Sequence, residues 1–369
     1  MASRTRTHTR MNRRGAQPRQ PRIKDIAEKL GVSIATVSRA LNDRPGVAPE
    51  MRQKVLELAA ELRFAPHAAA RSLSGERPGV DTRTGVVCFV VHQHDMPVAS
   101  DPFYYIILRG AERALAREGY HVMVTTVDDQ MEARAEGLRV VRERRVDGLI
   151  MAGPDLEPAL VLSVLHDGLP VVLVDNTLER TPVDCVMCDN YEGARTAVEH
   201  LLWHGHRRIA FVGGPVAWVS TREREAGYSA AMAEAGLPAT ALHESATTVA
   251  TGLRAGRQLF VGVPDDRRPT AVFAVNDATA LGVIRAAREA GLRVPQDVAV
   301  VGFDDINMAE LTDPPLTTVH IPKELMGELA ARHLLDLIEG RRQMPVKSIV
   351  ATTLVVRASC GCALHRERG

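Results

Sequence analysis

Long apolar runs are missing. Nowhere in the 369 residues do eighteen apolar residues follow one another, so no membrane-spanning helix is expected. The basic N-terminus has no apolar segment behind it, which argues against a secretory signal and for the cytoplasm. Neither G-x-G-x-x-G nor G-x-x-x-x-G-K-[ST] occurs, so the common nucleotide loops are absent, and VGGP (212–215) is a weak substitute. Asp304 and Asp305 form a carboxylate pair without a partnered nucleophile or base, and no enzyme is expected. What remains is a globular composition, 45% apolar and 25% charged, long enough for two or three domains.

Excess charge is also small, +1 in total, but it is unevenly spread. Residues 1–79 carry sixteen Lys/Arg and seven Asp/Glu, a balance of +9, which leaves −8 for the other 290 residues. A small basic head on a mildly acidic body suggests a polyanion partner for the head alone. Cysteine is scarce, five in all. An odd number without an export signal argues for free thiols. Cys185-x-x-Cys188 and Cys360-x-Cys362 invite a four-thiolate zinc site, but a strand at VDCVMCD would put Cys185 and Cys188 on opposite faces. His200 and His204, four apart on a helix, are a second metal candidate. Unpaired thiols and metal-free histidines are the expectation, with no cofactor and no metal.

The first 20 residues show no apolar period and predict a disordered basic tail. In PRIKDIAEKLG, residues Ile23, Ile26, Ala27 and Leu30 form one stripe, and Gly31 suits the helix end. Ser33 is an N-cap for a second helix with Val37 and Leu41 inward. Asn42 and the NDRPG run break it. A third helix starts at Pro49 with Val55, Leu58, Ala59 and Leu62 inward. Helix, glycine turn and capped helix predict a helix-turn-helix. A generic bundle would give no reason for the outward residues Ile34, Ala35, Ser38 and Arg39. In a DNA reader they face the major groove, where arginine can grip guanine, while Thr36 and Ser38 suit phosphates. Ala68 to Leu73 could form a two-turn helix too short to stand alone.

From Thr84 onward, apolar strands alternate with amphipathic helices in two cycles, which predicts two α/β lobes with parallel sheets. Ligands of such sheets bind beyond the carboxyl ends of strands. Those ends read HQHD, AGPD (ending at Asp155), GGP, ND and FDD.

With these motifs in order, the chain resembles the lactose/galactose repressor family of bacterial transcription regulators from about Pro21 to Arg357. The resemblance rests on IKDIAEKLGVSIATVSRALN, AARSL, VDGLIM, GHRRIAFVGGP, TAVFAVNDATALG, VVGFDD and PPLTTV. It implies a homodimer on a pseudo-palindromic double-stranded operator. The core would be like a periplasmic sugar-binding protein and control DNA affinity through a small sugar-like effector. It also implies segments: head 21–66, hinge helix and linker 67–79, one lobe from 84–187 with 319–347, the other from 188–318 with 348–358, and a tail 359–369. DNA contacts would come from Ser33, Ile34, Ala35, Thr36, Ser38, Arg39 and Asn42. In the hinge helix, Leu73 would wedge between base steps and Ala70 would let two backbones approach.

For the effector, the resemblance implies Arg222 in STREREAGY, Asn276 with adjacent Asp277, Asp304 in GFDD and Phe103 in DPFYY, and the polar strand end AGPD adds Asp155. Capping roles compete for Asp304 and Asp277. An aromatic platform of several sugar-responsive members falls near Thr247 here, which argues against pyranose stacking of that kind. The longer loop HQHDMPVASDPFYY could turn His92 or His94 inward, although solvated histidines are expected. Family members commonly have histidines at His200 and His206 without metal. The tail CALHRERG lacks leucine heptads, so a dimer is expected rather than a tetramer. The rival reading is a solute-binding protein without DNA function, which the basic head and missing export signal oppose.

Overall fold

The computed structural model describes residues 23–41, 45–62, 83–92, 101–128 and 138–362. Residues 1–20, Asn42, Ala70, Leu73, His94 and the segment after Cys362 lie outside them, and the expectations placed there with them. The chain divides into two units, Met1–Thr82 and Arg83–Gly369.

In the first unit, helices α1 (Ile23–Leu30), α2 (Ile34–Leu41) and α3 (Pro49–Glu61) bury one small core. Ile26, Ala27, Val37, Ala40, Val55 and Ala59 fill it, with Ile23, Leu30, Leu41, Leu58 and Leu62 half-buried against them. The end of α1 depends on Gly31, at φ +63°, a left-handed conformation that glycine adopts without a Cβ penalty. The turn lets Val32 N–H donate back to Ala27 O at 3.1 Å. Two residues on, Ser33 Oγ accepts the Thr36 N–H at 3.0 Å and starts α2 as its N-cap.

The second unit has two lobes. The first begins β1 (Val86–His92), α4 (Tyr104–Arg117), β2 (His121–Val127), α5 (Arg139–Arg142), β3 (Gly148–Ala152), α6 (Pro158–His166), β4 (Val171–Val174), β5 (Asp184–Cys188). The chain then crosses to the second lobe with α7 (Asn190–Trp203), β6 (Ile209–Gly213), α8 (Val219–Glu234), β7 (Thr240–His243), α9 (Val249–Phe260), β8 (Ala271–Ala274), α10 (Asp277–Glu289), β9 (Ala299–Val301) and α11 (Asn307–Leu311). It continues through β10 (Thr318–His320), returns as α12 (Lys323–Ile338) and β11 (Lys347–Val350), and ends with β12 (Thr353–Val355).

The first sheet runs β11-β5-β4-β3-β1-β2 and the second β7-β6-β8-β9, parallel throughout. A two-stranded antiparallel ribbon, β10-β12, completes the connections. Buried strands such as GLIMA and VVLV have no polar alternation because helices cover both faces. Two boundaries differ from expectation, and the smaller is that Cys188 ends β5 in the first sheet rather than opening the second lobe. Residues 348–350 pair with β5 in the first sheet, so the final crossing follows Val350. The reason is the register Lys347↔Cys185 to Val350↔Cys188, which hydrophobic pattern alone does not reveal.

Candidate functional site

Two surfaces carry the polar groups that folding does not consume. On α2, the residues that miss the core are Ile34, 49% exposed, together with exposed Ala35 and Arg39 and half-buried Ser38. The Thr36 hydroxyl lies 2.9 Å from Ser33 Oγ, so it already belongs to the cap. Ile34 is a large apolar side chain held in water by a capped helix start, an arrangement with a cost unless something covers it.

The second surface is a cleft of about 680 Å³ between the lobes, within the usual size of a small-molecule site. It opens beyond the carboxyl ends of the strands. The first lobe contributes Asp101, Phe103 and Tyr104 at the start of α4, Asp155 after β3, and Asp175 after β4. The second contributes Trp218, Thr221 and Arg224 from the start of α8, Thr247 before α9, Asn276 after β8, and Asp304 after β9. A depression of about 550 Å³ on α9 is lined by that helix alone and brings no groups together.

Arg224 organises the cleft. It is buried, its Cζ lies 3.8 Å from the Phe303 ring centroid, and its Nη1 lies 3.3 Å from Asp304 Oδ1. Its Nε donates to Asn190 Oδ1 at 2.8 Å and its Nη1 to Val275 O. Burial opposes its charge, but Asp304, Cys188 and Asp175 more than compensate and raise its pKa. Asp175 and Asp304 both have left-handed backbone, φ +56° and +104°, which aims their carboxyls inward. Burial pushes Asp175 up to about 7 and Asp304 up to about 6, with Arg224 restraining each. Tyr104 Oη donates to Asp175 Oδ2 at 3.2 Å; burial, then Asp175, holds that phenol well above its usual range. Among the described residues, Asp175 Oδ1 and Thr221 Oγ1 are buried without a hydrogen-bond partner. Buried polar atoms in this state are costly, and a bound ligand can satisfy them.

Comparison with known proteins matches this architecture. Residues 22–67 match the family described as bacterial regulatory proteins, lacI family, and residues 198–360 match a periplasmic binding protein-like domain. The HTH-type transcriptional regulator CelR of Thermobifida fusca is 35% identical over 345 residues, 92% of this chain and 98% of that protein. The HTH-type transcriptional repressor PurR of Aliivibrio fischeri is 33% identical over 322 residues, 86% and 92% of the two chains. The chain belongs to the lacI family. Among solved structures, a CelR–cellobiose complex superposes with TM-score 0.68 at 33% identity, covering 92% of this chain and 99% of that one. A lac repressor dimer bound to operator and an anti-inducer gives 0.76 at 28% identity, covering 93% and 99%.

This lacI-family member is therefore a DNA-binding transcriptional regulator with a helical head and a two-lobed effector core. Among its described residues, no helix is long and apolar enough to cross a membrane.

Several site residues need correction. Phe103, Asp155, Asn276 and Asp304 line the cleft; Arg222 and Asp277 do not. Arg222 faces outward, donates to Val216 O and Ala217 O, and lies 3.3 Å from Glu179. Two residues on a helix are separated by about 200°, so Arg224 occupies the inward position. Asp277 is fully buried behind the cleft, accepting from Ile306 N–H at 2.8 Å and from the Thr318 hydroxyl. The N-cap of α10 is Asn276, which accepts Thr279 N–H at 2.9 Å, and Asp304 caps no helix.

Thr247 does line the cleft, as placed, but Trp218 on another element supplies an aromatic wall that sequence reasoning missed. His92 is not a solvated loop histidine; it ends β1 with Nδ1 3.7 Å from Asp155 Oδ2. Also missed was Lys323, buried at the head of α12, whose Nζ donates to the carbonyls of Asp304 and Asp305 and ties the first lobe to the second.

Proposed function

We propose that this regulator is a repressor that binds its operator as a homodimer, with α2 in the major groove, and that a neutral sugar-like effector in the cleft controls it. The observation that carries the effector class is the charge of the lining. Asp101, Asp155, Asp175 and Asp304 stand against one arginine, Arg224. A phosphate or carboxylate ligand would meet excess negative charge. Neutral hydroxyls donate to the carboxylates and accept from the guanidinium, while Trp218 and Phe103 cover the apolar face of a ring. The cellobiose in the CelR complex supports the same chemistry. Ile34 and Ala35 cannot hydrogen-bond a base edge, so base reading rests on Arg39 and on contacts with thymine methyls. Ser33, Thr36, Ser38 and Asn42 serve phosphates, and Ala70 and Leu73 belong to the proposed hinge.

Calorimetric titration with neutral mono- and disaccharides and with their phosphates tests this reading. A neutral saccharide should bind and alter operator affinity by five- to about a hundredfold, the usual range of allosteric coupling. Arg222→Ala should respond as the parent does, whereas Arg224→Lys should lose the response, because lysine cannot reproduce the fork to Asn190, Val275 and Asp304. Binding of phosphorylated sugars alone would refute the neutral-ligand assignment.

A further inference from the structure

A second constellation lies on the outer end of α7. His200 and His204 stand one helical turn apart with ring centroids 4.7 Å from each other. Both direct Nε2 at a single sulfur, Cys362 Sγ, at 3.1 and 2.8 Å. Cys360 Sγ is 2.9 Å from that sulfur. The donor atoms of His200, His204 and Cys362 all fall within 4.8 Å of one another. Donors around a tetrahedral zinc, with bonds of about 2.0–2.3 Å, stand about 3–4 Å apart.

Two imidazole nitrogens, each donor or acceptor according to tautomer, and a second sulfur converge on one thiol sulfur. Imidazole nitrogens and thiolate sulfurs meeting at one place are the usual donor set of zinc.

The turn that delivers the sulfurs is held in place before any metal arrives. Ser359 Oγ donates to Val300 O at 2.6 Å and accepts Thr317 N–H at 2.8 Å, while Val300 N–H donates to Ser359 O. Between the cysteines, Gly361 has φ +82°, the left-handed conformation that turns both thiols the same way. His-x-x-x-His and Cys362 are thus brought together from 158 residues apart, with Cys360 Sγ beside them.

We propose that His200, His204, Cys360 and Cys362 form a structural zinc site that staples the chain after β12 to α7. Four protein donors leave no open position, which marks the site as structural rather than catalytic. Binding releases the two thiol protons to solvent, and the thiolates neutralise the cation. The site replaces the expectation of no metal, and it does not use the other cysteine pair. Cys185 and Cys188 lie in β5 within different core clusters, on opposite faces of the sheet. It is also separate from the cleft. Asn190, which holds Arg224, begins α7, and His204 follows its end, about 20 Å along the axis at 1.5 Å per residue.

The test uses untagged full-length protein purified without chelator and kept reduced. One zinc per chain should be found by elemental analysis. Cobalt(II) added to the metal-free protein should give the strong visible bands of a tetrahedral site with thiolate charge transfer. It should also quench Trp203, whose ring lies 4.7 Å from that of His204. Cys362→Ser should weaken the charge-transfer intensity, one of two thiolates being gone, and chelator should lower the unfolding temperature of the parent more than that of the variant. Because the cobalt spectrum is read on the parent protein, a variant that fails to fold leaves the test intact. Weak octahedral cobalt bands, substoichiometric zinc in the reduced parent, or a Cys360–Cys362 disulfide in its place would overturn the site.

Discussion

Asp277 is a carboxyl group enclosed by the fold, and its environment has a measurable consequence. Burial, then the neighbouring Asp304, pushes it up to about 8, against the opposing bonds from Thr318 and Ile306. Its unfolded value is 3.8, so between about pH 4 and 8 the folded state holds a proton that the unfolded state has lost. Stability is then greatest at the acid end and falls as pH rises through that window. Asp175 and Asp304, also raised by burial, act in the same direction over the lower part. Asp277→Asn keeps an oxygen for the Ile306 N–H and can donate to the Thr318 hydroxyl. Denaturant unfolding at successive pH values should show the variant's slope reduced by up to about 1.4 kcal/mol per pH unit, one proton's share. An unchanged slope would mean that Asp277 is ionised in the folded protein. At this scale the sequence was legible in kind but not in phase. The choice between Arg222 and Arg224 needed the period of α8, where Thr221, Arg224, Tyr228 and Ala231 are buried at spacings of three and four. That stripe is present in STREREAGYSAA, and Tyr228 anchors it.

Single elements show where local signals suffice. Ser33, Gly31 and Pro49 mark the head's helix ends by capping chemistry that depends only on neighbouring residues, and all three sit at the ends they signal. Ser33→Ala removes the acceptor for Thr36 N–H and should cost about 1 kcal/mol, typical of a lost N-cap. Hydrogen exchange in the full chain should show the first turn of α2 exposed about fivefold more often, with core amides unaffected. Protection equal to that of the parent would mean that the Ser33 cap contributes nothing. Long-range pairing is a different matter. The joining of β11 to β5 and the meeting of His204 with Cys362 span 162 and 158 residues. No local propensity encodes such contacts; they follow only once the crossings between lobes are fixed.

For the molecule as a whole, strand–helix alternation made two parallel lobes legible, and the charge imbalance marked which unit meets a polyanion. The same imbalance separates the two binding activities physically. Residues 1–79 carry +9 and the remainder −8, so operator binding releases counterions from DNA, whereas binding of the proposed neutral effector in the cleft would not. For about 6–10 phosphate contacts, affinity falls by ~10³–10⁵ between about 50 and 200 mM salt. A neutral effector held by buried groups should shift by less than about twofold over that range, because salt screens buried interactions far less. Fluorescence anisotropy on an operator duplex and calorimetry of the effector, run on one preparation across the series, compare the two directly. Arg39→Ala should weaken operator binding and leave the effector isotherm unchanged, since Arg39 is exposed on the head and has no carboxylate partner among the described residues. If both affinities declined together with salt, the effector would be charged. The neutral-ligand reading of the cleft would fail, while the DNA-reading role of α2 would stand.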